Sequence, residues 1–387
     1  MIYLDYSATT PLNLDVLDTY IKTSKDFIGN PNSIHSLGVK SLDLMNSATK
    51  QISDIFNVMD SEIIYTSGAT ESNNLALIGA CMANYKNGKH IIVSKLEHPS
   101  IYAICDYLKN MGFEISYVNN DQEGLIDFDD LKNLIREDTI LVSICAVNSE
   151  VGIRQPLKML RQIIKKENER TIFHSDITQA LGKTPVNFFD FDMASASCHK
   201  IYGPKGIGFL YKNNQVKMST LIKGSGKHNQ MRPGTPPLPL IVSMAKAIRI
   251  AVNDLDSREK YITLLNEKII KKLSQMPGIR LNKTKYSIPH IINISLENVK
   301  AESLIHALEK HEIYVGSNTA CASNEISNSV MAIYNDIERS KSTIRISLSH
   351  LTQSEDINRF LSVFELEYNN LNNLISGGNN IGKDNIN

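Results

Sequence analysis

The sequence predicts an α/β protein: a large domain built on a mostly parallel sheet, with a smaller α+β domain toward the C-terminus. Three observations predict it. Between residues 62 and 211, apolar runs of strand length alternate with helical patterns, the signature of a parallel sheet. Thr70, His98, Asn148, Asp176 and Lys200 each fall just after such a run, and open α/β sheets bind ligands at the carboxyl ends of their strands. Beyond residue 255 the pattern changes, and short strands and helices no longer alternate regularly. The expected boundaries are 13–254 for the large domain and 1–12 with 255–376 for the small one. A polar tail, 377–387, is expected to be disordered.

The 387 residues suffice for a large buried core. Lysine plus arginine number 41 and aspartate plus glutamate 41, which gives no reason to expect direct nucleic-acid binding or an anionic-membrane surface. No apolar run reaches the roughly 18 residues of a spanning helix. The N-terminus lacks the basic-then-apolar layout of a signal peptide. The five cysteines (81, 105, 145, 198 and 321) are odd in number and form no CxxC, which fits a reducing cytoplasm and no metal site.

The elements follow in order. Residues Ile2–Asp5 read as a short strand breaking into the turn Tyr6-Ser7-Ala8-Thr9-Thr10-Pro11. Turn formers crowd Gly29–His35, before a helix over Gly38–Phe56. A strand at Glu62–Thr66 runs into Ser67-Gly68-Ala69-Thr70-Glu71-Ser72 and a helix to about Tyr85. Strand, small-residue turn and helix N-terminus make a site for a single phosphate; the same geometry also suits Thr70 as a plain helix cap. Strands follow at His90–Ser94, Glu114–Val118 and Ile140–Val147, with helices at Phe128–Arg136 and Leu157–Lys166. Thr171–Phe173 delivers Asp176, and Phe191–Ala196 delivers Ser197, Cys198, His199 and Lys200. The chain resumes a strand at Ile207–Tyr211. A long helical stretch, Leu238–Met276, has a hinge expected near Asn253–Ser257. Strands at Ile291–Ser295 and Glu312–Val315 and helices at Glu302–Lys310 and Asp356–Asn370 complete the order.

Lys200 alone reads equally as a lysine in a surface hairpin. Desolvation at a strand end favours the neutral amine, which can form a Schiff base. With Asp176 on a neighbouring strand end, the pair suits pyridoxal phosphate: the lysine holds the aldehyde, and the carboxylate keeps the pyridine nitrogen protonated.

Several stretches together carry a resemblance. They are Tyr3-Leu4-Asp5 with Ala8-Thr9-Thr10-Pro11, Gly29-Asn30-Pro31 with His35, Glu97-His98 with Ser100, Asn148-Ser149-Glu150 with Gly152, Ser197-Cys198-His199-Lys200, Arg232 with Gly234-Thr235, and Ser317 through Ser323. In this order they resemble a cysteine desulfurase of the NifS/IscS type, in the class-V aminotransferase family of fold-type-I pyridoxal phosphate enzymes. The resemblance implies that fold, with a seven-stranded-type sheet, and a homodimer. It also implies conversion of L-cysteine to L-alanine, with the sulfur left on Cys321 as a persulfide for a sulfur-acceptor protein in iron–sulfur cluster assembly or tRNA thiolation.

The roles it implies are these. Lys200 links the cofactor and moves the Cα proton, and Asp176 pairs with the ring nitrogen. His98 stacks on the ring and can take part in proton transfer. Ala69, Thr70, Ser197 and His199 hold the phosphate, with Thr235 of the other subunit. Gln179 and Asn148 support the phenolic oxygen, and Arg345, with Asn148, takes the substrate carboxylate. Departures occur at Gly316, Asn318 and Thr319, where Gly316 and Asn318 can still form a tight turn, and through 324–341. Cys198 stands where the family commonly has glycine and reads as a small buried side chain. Other readings on the same fold are a selenocysteine lyase, a sulfinate desulfinase or an aminotransferase. A reading of another class is a sulfur-delivery subunit active only with a partner.

Overall fold

The computed structural model describes residues 1–225, 231–317 and 326–381, with side chains to residue 374. The strands are β1 (Ile2–Leu4), β2 (Ile63–Thr66), β3 (His90–Ser94), β4 (Glu114–Val118), β5 (Thr139–Ser143), β6 (Ile172–Asp176), β7 (Met193–Ser197), β8 (Gly208–Lys212), β9 (Ile279–Leu281), β10 (Ile291–Leu296), β11 (Ile313–Ser317) and β12 (Thr343–Ser347). The helices are α1 (Leu14–Asp26), α2 (Ser36–Phe56), α3 (Ala69–Asn84), α4 (Pro99–Asn110), α5 (Phe128–Leu134), α6 (Leu157–Glu167), α7 (Leu238–Val252), α8 (Leu255–Leu273), α9 (Ala301–Glu309), α10 (Asn328–Tyr334), α11 (Ile337–Lys341) and α12 (Ser354–Ile381).

Seven strands form the first sheet, in the order β2-β8-β7-β6-β5-β3-β4. Strands β4, β3, β5, β6 and β7 run parallel, and β8 is antiparallel to both its neighbours. Every residue of β3, β5, β6 and β7 is buried, as expected where helices cover both faces of a parallel sheet. His174 of β6 and Ser195 of β7 are tolerated there because they bond across strands. Ser143 Oγ lies 2.9 Å from His174 Nδ1, and His174 Nε2 lies 3.0 Å from Ser195 Oγ. A buried polar ladder whose members are all partnered holds one register and resists slippage. Asp176 and Ser195 are cross-strand partners at the end of that ladder, so the register also fixes the site.

The second sheet, β1-β11-β12-β10-β9, has a core of its own that includes Ile262, Leu265 and Ile269 of α8. Core membership changes between α7, which packs on the first sheet, and α8. The break falls at Asn253–Asp254, with Asp254 left-handed at φ 59°, inside the expected hinge.

Several boundaries differ from expectation. β5 ends at Ser143; beyond it the Ile144 and Ala146 N–H groups still donate to the His174 and Asp176 carbonyls of β6, while the Ala146 carbonyl accepts from the Gln155 N–H and Val147 pairs with Arg154 of the returning chain. The α5 helix ends at Leu134, two residues early. The α12 helix continues past Asn370 and through Gly377 to Ile381, into the segment expected as a disordered tail; once nucleated, a helix propagates at little cost per residue. Gly316 lies in β11 opposite Arg345, not in a turn. A Cβ there would stand 2.5 Å from Asp5 Oδ1, so glycine leaves room for the Asp5–Arg345 pair.

Burial predicts an acid-labile fold. His174 and His290 are held at about 4 and about 3, mainly by burial. The unfolded chain takes up their protons from 6.5 downward, so their stabilisation is full above 6.5 and lost as pH falls toward those values. Glu97 acts oppositely: burial lifts its carboxyl to about 8, so the fold gains stability from it as pH falls from 8 toward 4.5. Midway between pH 6.5 and 4.5 those three groups alone leave the unfolded chain about one proton ahead, a loss of about 1.4 kcal/mol per pH unit. His199 and His350, also lowered to about 4 mainly by burial, add to it. Urea midpoints should fall steadily from pH 6.5 to 5; a flat or rising midpoint would show that these histidines are not neutral in the fold.

Candidate active site

Lys200 sits in a single 3-10 turn, Cys198–Lys200, between β7 and β8. Its Nζ donates to the Ser7 and Ala8 carbonyls, both at 2.6 Å. The N-terminal segment clasps this turn further. Thr10 N and Thr10 Oγ1 each donate to the His199 carbonyl at 2.9 Å, and His199 Nδ1 lies 3.1 Å from Thr9 Oγ1. Cys198 is buried, its thiol pushed up by burial, and a Cβ on Gly203 would lie 2.0 Å from its Sγ. It packs as a small core side chain.

Asp176 closes β6. Its Oδ2 accepts from Asn73 Nδ2 at 2.9 Å and its Oδ1 from the Thr178 N–H at 2.9 Å. Asn73 Nδ2 also donates to Ser100 Oγ at 3.1 Å, and Ser100 Oγ lies 2.9 Å from His98 Nδ1. His98 caps α4, its Nδ1 accepting from the Ser100 N–H at 3.2 Å. An accepting Nδ1 leaves the proton on Nε2. Burial lowers the His98 pKa; the charges acting on it are Asp176, which opposes the shift, and Lys200 and Arg345, which add to it. Those four residues therefore converge, from elements up to 247 positions apart (98 to 345).

At the phosphate end, α3 opens at Ala69 behind Gly68, which caps without a side chain, so Thr70 is in the first turn and not the cap. Gly208 lies against this start: a Cβ there would come 2.7 Å from Gly68 Cα. A Cβ on Gly68 would come 3.5 Å from Ser197 Oγ. The helix start, Ser197 and the His199 turn are thus adjacent, a cradle with backbone donors suited to an anion.

Arg345 is buried on β12. Its Nη2 pairs with Asp5 Oδ1 at 2.9 Å and its Nη1 donates to the Ser149 carbonyl at 3.0 Å. Its Nε is buried without a partner. Asn148 gives its amide hydrogens to the Leu96 carbonyl (2.9 Å) and Ser329 Oγ (3.0 Å), while its Oδ1 accepts from the Glu150 and Val151 N–H groups. Its amide is spent holding that loop. Gln179 Nε2 donates to the Ser7 carbonyl at 2.9 Å, and its Oε1 accepts from Lys183. Thr235 stands apart, on the wall of a cavity of about 410 Å³ with Thr66, Ser67, Gly206 and Arg232; Lys200, Asp176 and His98 are not among the residues lining it. Cys321 lies outside the described residues.

The sequence pattern of the class-V aminotransferases matches residues 2–360. The chain belongs to the aminotransferase class-V family. Class-V aminotransferases are pyridoxal phosphate enzymes. A carboxylate at one strand end, a lysine at the next and a phosphate cradle beside them fit that cofactor here. This member is 38% identical over 370 residues to the cysteine desulfurase IscS of Dictyoglomus turgidum, covering 94% of this chain and 93% of that one. It is 35% identical to the cysteine desulfurase IscS of Methanosarcina thermophila, over 94% of this chain and 90% of that one. Among solved structures, a NifS-like protein superposes with a TM-score of 0.89 at 33% identity, covering 94% of this chain and 98% of that one. SspA in complex with cysteine superposes at 0.79 and 30% identity, covering 91% and 100%. Among the described residues no helix is long and apolar enough to cross a membrane.

Residues the sequence reading missed are Asn73 and Lys183 and the carbonyls of Ser7 and Ala8; Asp5 and Ser100 stood in the stretches that carry the resemblance but were given no role. Lys183 had a signal in its four-residue spacing from Gln179.

Proposed function

We propose that this protein is a cysteine desulfurase: it converts L-cysteine to L-alanine and retains the sulfur on Cys321. The observation that carries the reading is that Asp176, joined to His98 through Asn73 and Ser100, ends the strand next to the one that delivers Lys200, while Lys200 and Arg345 are both tied to residues 5–8. Its sulfur specificity rests on Cys321, which follows β11 in sequence, and on the likeness to the IscS relatives and the cysteine-bound SspA.

When bound, the cofactor supplies an aldehyde for the substrate amine and a sink for the electron pair left at Cα. Asp176, oriented by Asn73 and Thr178, keeps the ring nitrogen protonated. His98, neutral and protonated on Nε2, covers the ring face. Ala69, Thr70, Ser197 and His199 hold the phosphate; Thr235, which lines a cavity beside the start of α3 with Ser67 and Arg232, serves the partner subunit of a homodimer. Gln179 supports the phenolic oxygen. The amide of Asn148 is engaged in its loop, so it bears on the cofactor and substrate by holding that loop. Arg345 takes the substrate carboxylate in exchange for Asp5. Lys200, freed by the substrate amine, takes the Cα proton and returns it. The Cys321 thiolate attacks the substrate sulfur: an S–S bond forms, the C–S bond breaks, and the electron pair stays with the carbon that becomes the alanine methyl group after protonation. A sulfur-acceptor protein of the cytoplasm, serving iron–sulfur cluster assembly or tRNA thiolation, then removes the outer sulfur.

The test is Cys321→Ala. It should bind cofactor and L-cysteine with the normal absorbance change yet make no alanine, while a single turnover of the unaltered enzyme should add one sulfur to the peptide containing Cys321 by mass spectrometry. Sulfur on Cys198, or full alanine production by Cys321→Ala, would overturn the reading.

A further inference from the structure

Behind the site lies a second lysine. Lys183 is buried, 8% exposed, and its Nζ donates to Gln179 Oε1. An amide can face its surroundings either way round, but an ammonium has only hydrogens to give. The contact therefore turns the Gln179 oxygen toward Lys183 and its NH2 group the other way. There Nε2 gives one hydrogen to the Ser7 carbonyl, the same oxygen that accepts from Lys200. These contacts leave one amide hydrogen of Gln179 unused, and the shared Ser7 carbonyl places the amide beside the Lys200 amine.

Lys183 and Lys200 also line one small chamber, about 10 Å³, with Tyr6, Tyr202, Arg258, His290 and His350. That is room for about one water. No carboxylate lines it, and His290 Nδ1 is buried without a partner. The groups facing Lys183 are thus neutral or cationic. Burial, then the charges of Lys200 and Arg345, bring its pKa down to about 7. Below that pH the ammonium fixes the Gln179 amide; above it the neutral amine can accept as well as donate, and the constraint relaxes.

We propose that Lys183 is a positioning residue: it orients Gln179 so that the remaining amide hydrogen meets the cofactor's phenolic oxygen, and so lowers the proton affinity of the nitrogen joining Lys200 to the cofactor. This rests on the placing of Gln179 beside that oxygen. A donor to the phenolic oxygen stabilises the deprotonated linkage.

The experiment titrates the visible absorbance of the cofactor-loaded protein against pH, in the unaltered enzyme, Lys183→Met, Gln179→Leu and the double variant. Each single variant should raise the midpoint by about one pH unit, a tenfold rise in proton affinity. The double variant should rise no further than Gln179→Leu alone, because Lys183 acts through that amide. Lys183→Arg, still a donor only, should stay within about 0.3 unit of the unaltered enzyme. Additive shifts would overturn the proposal by showing that Lys183 acts through its charge alone. An unchanged Lys183→Met midpoint beside a shifted Gln179→Leu would overturn it while leaving the Gln179 placement standing. An unchanged Gln179→Leu midpoint would remove that placement and the proposal together. Should Lys183→Met not fold, Lys183→Gln, which no longer fixes the amide, should give the same rise, and no rise would overturn the proposal.

Discussion

Lys200→Ala should abolish covalent attachment of the cofactor and slow desulfuration by about four orders of magnitude, roughly 5 kcal/mol of barrier. The expectation follows from the position of the amine. Two main-chain carbonyls hold Nζ between the N-terminal segment and the end of β7, where no other group is held in the same way. Borohydride reduction checks it: the unaltered protein should be labelled at Lys200 and the variant nowhere. Lys183 is the internal control, since it lines the same chamber. Labelling of Lys183 in the unaltered protein would transfer the attachment to that residue.

Asp176→Ala should keep the cofactor but lose about a thousandfold in turnover, roughly 4 kcal/mol, because an unprotonated ring draws electrons poorly. The alanine also removes the acceptor for Asn73 and Thr178. Asp176→Asn separates the two effects, since it keeps an acceptor oxygen and loses the charge. Both variants should be slow, with Asp176→Asn the more thermally stable. Activity within tenfold of the unaltered enzyme in Asp176→Asn would show that the charge is not needed at the ring.

Much of this site was legible because its side chains sit where strands end, and strand ends announce themselves as apolar runs giving way to small polar residues. Asp176, Lys200 and His98 were found that way. What stayed hidden was either main chain or remote. The carbonyls of Ser7 and Ala8 leave no mark on side-chain pattern, and Asp5 meets Arg345 across 340 positions. Asn73, in the second turn of α3, carried no signal, and Ser100 stood in a recognised stretch without a role; only the fold shows that they join Asp176 to His98. The helices α10 and α11, seven and five residues long, are too short for periodicity to reveal. The mostly parallel character of the first sheet was legible from strand runs alternating with helices, but its strand order, with β8 antiparallel to both neighbours, comes from the fold.

The clasp of the N-terminal segment over Lys200 has a consequence for the timing of assembly. Residues 2–4 pair with 313–315, and the Ser7 N–H bonds to Ser347 Oγ. Residues 2–4 therefore have no strand partner until β11 is made, although the Ser7 and Ala8 carbonyls and Thr10 can meet Gln179, His199 and Lys200 earlier. Closing so long a loop is entropically costly and late. The first sheet can form during synthesis, domain by domain, and the bonds from Thr10 to His199 with it, but the β1 pairing and the Ser7–Ser347 bond that anchor the clasp over Lys200 come only after β11 and β12. Cofactor capture at Lys200 is thus a post-translational event, and a chain truncated before β12 should fold its first sheet yet fail to retain pyridoxal phosphate.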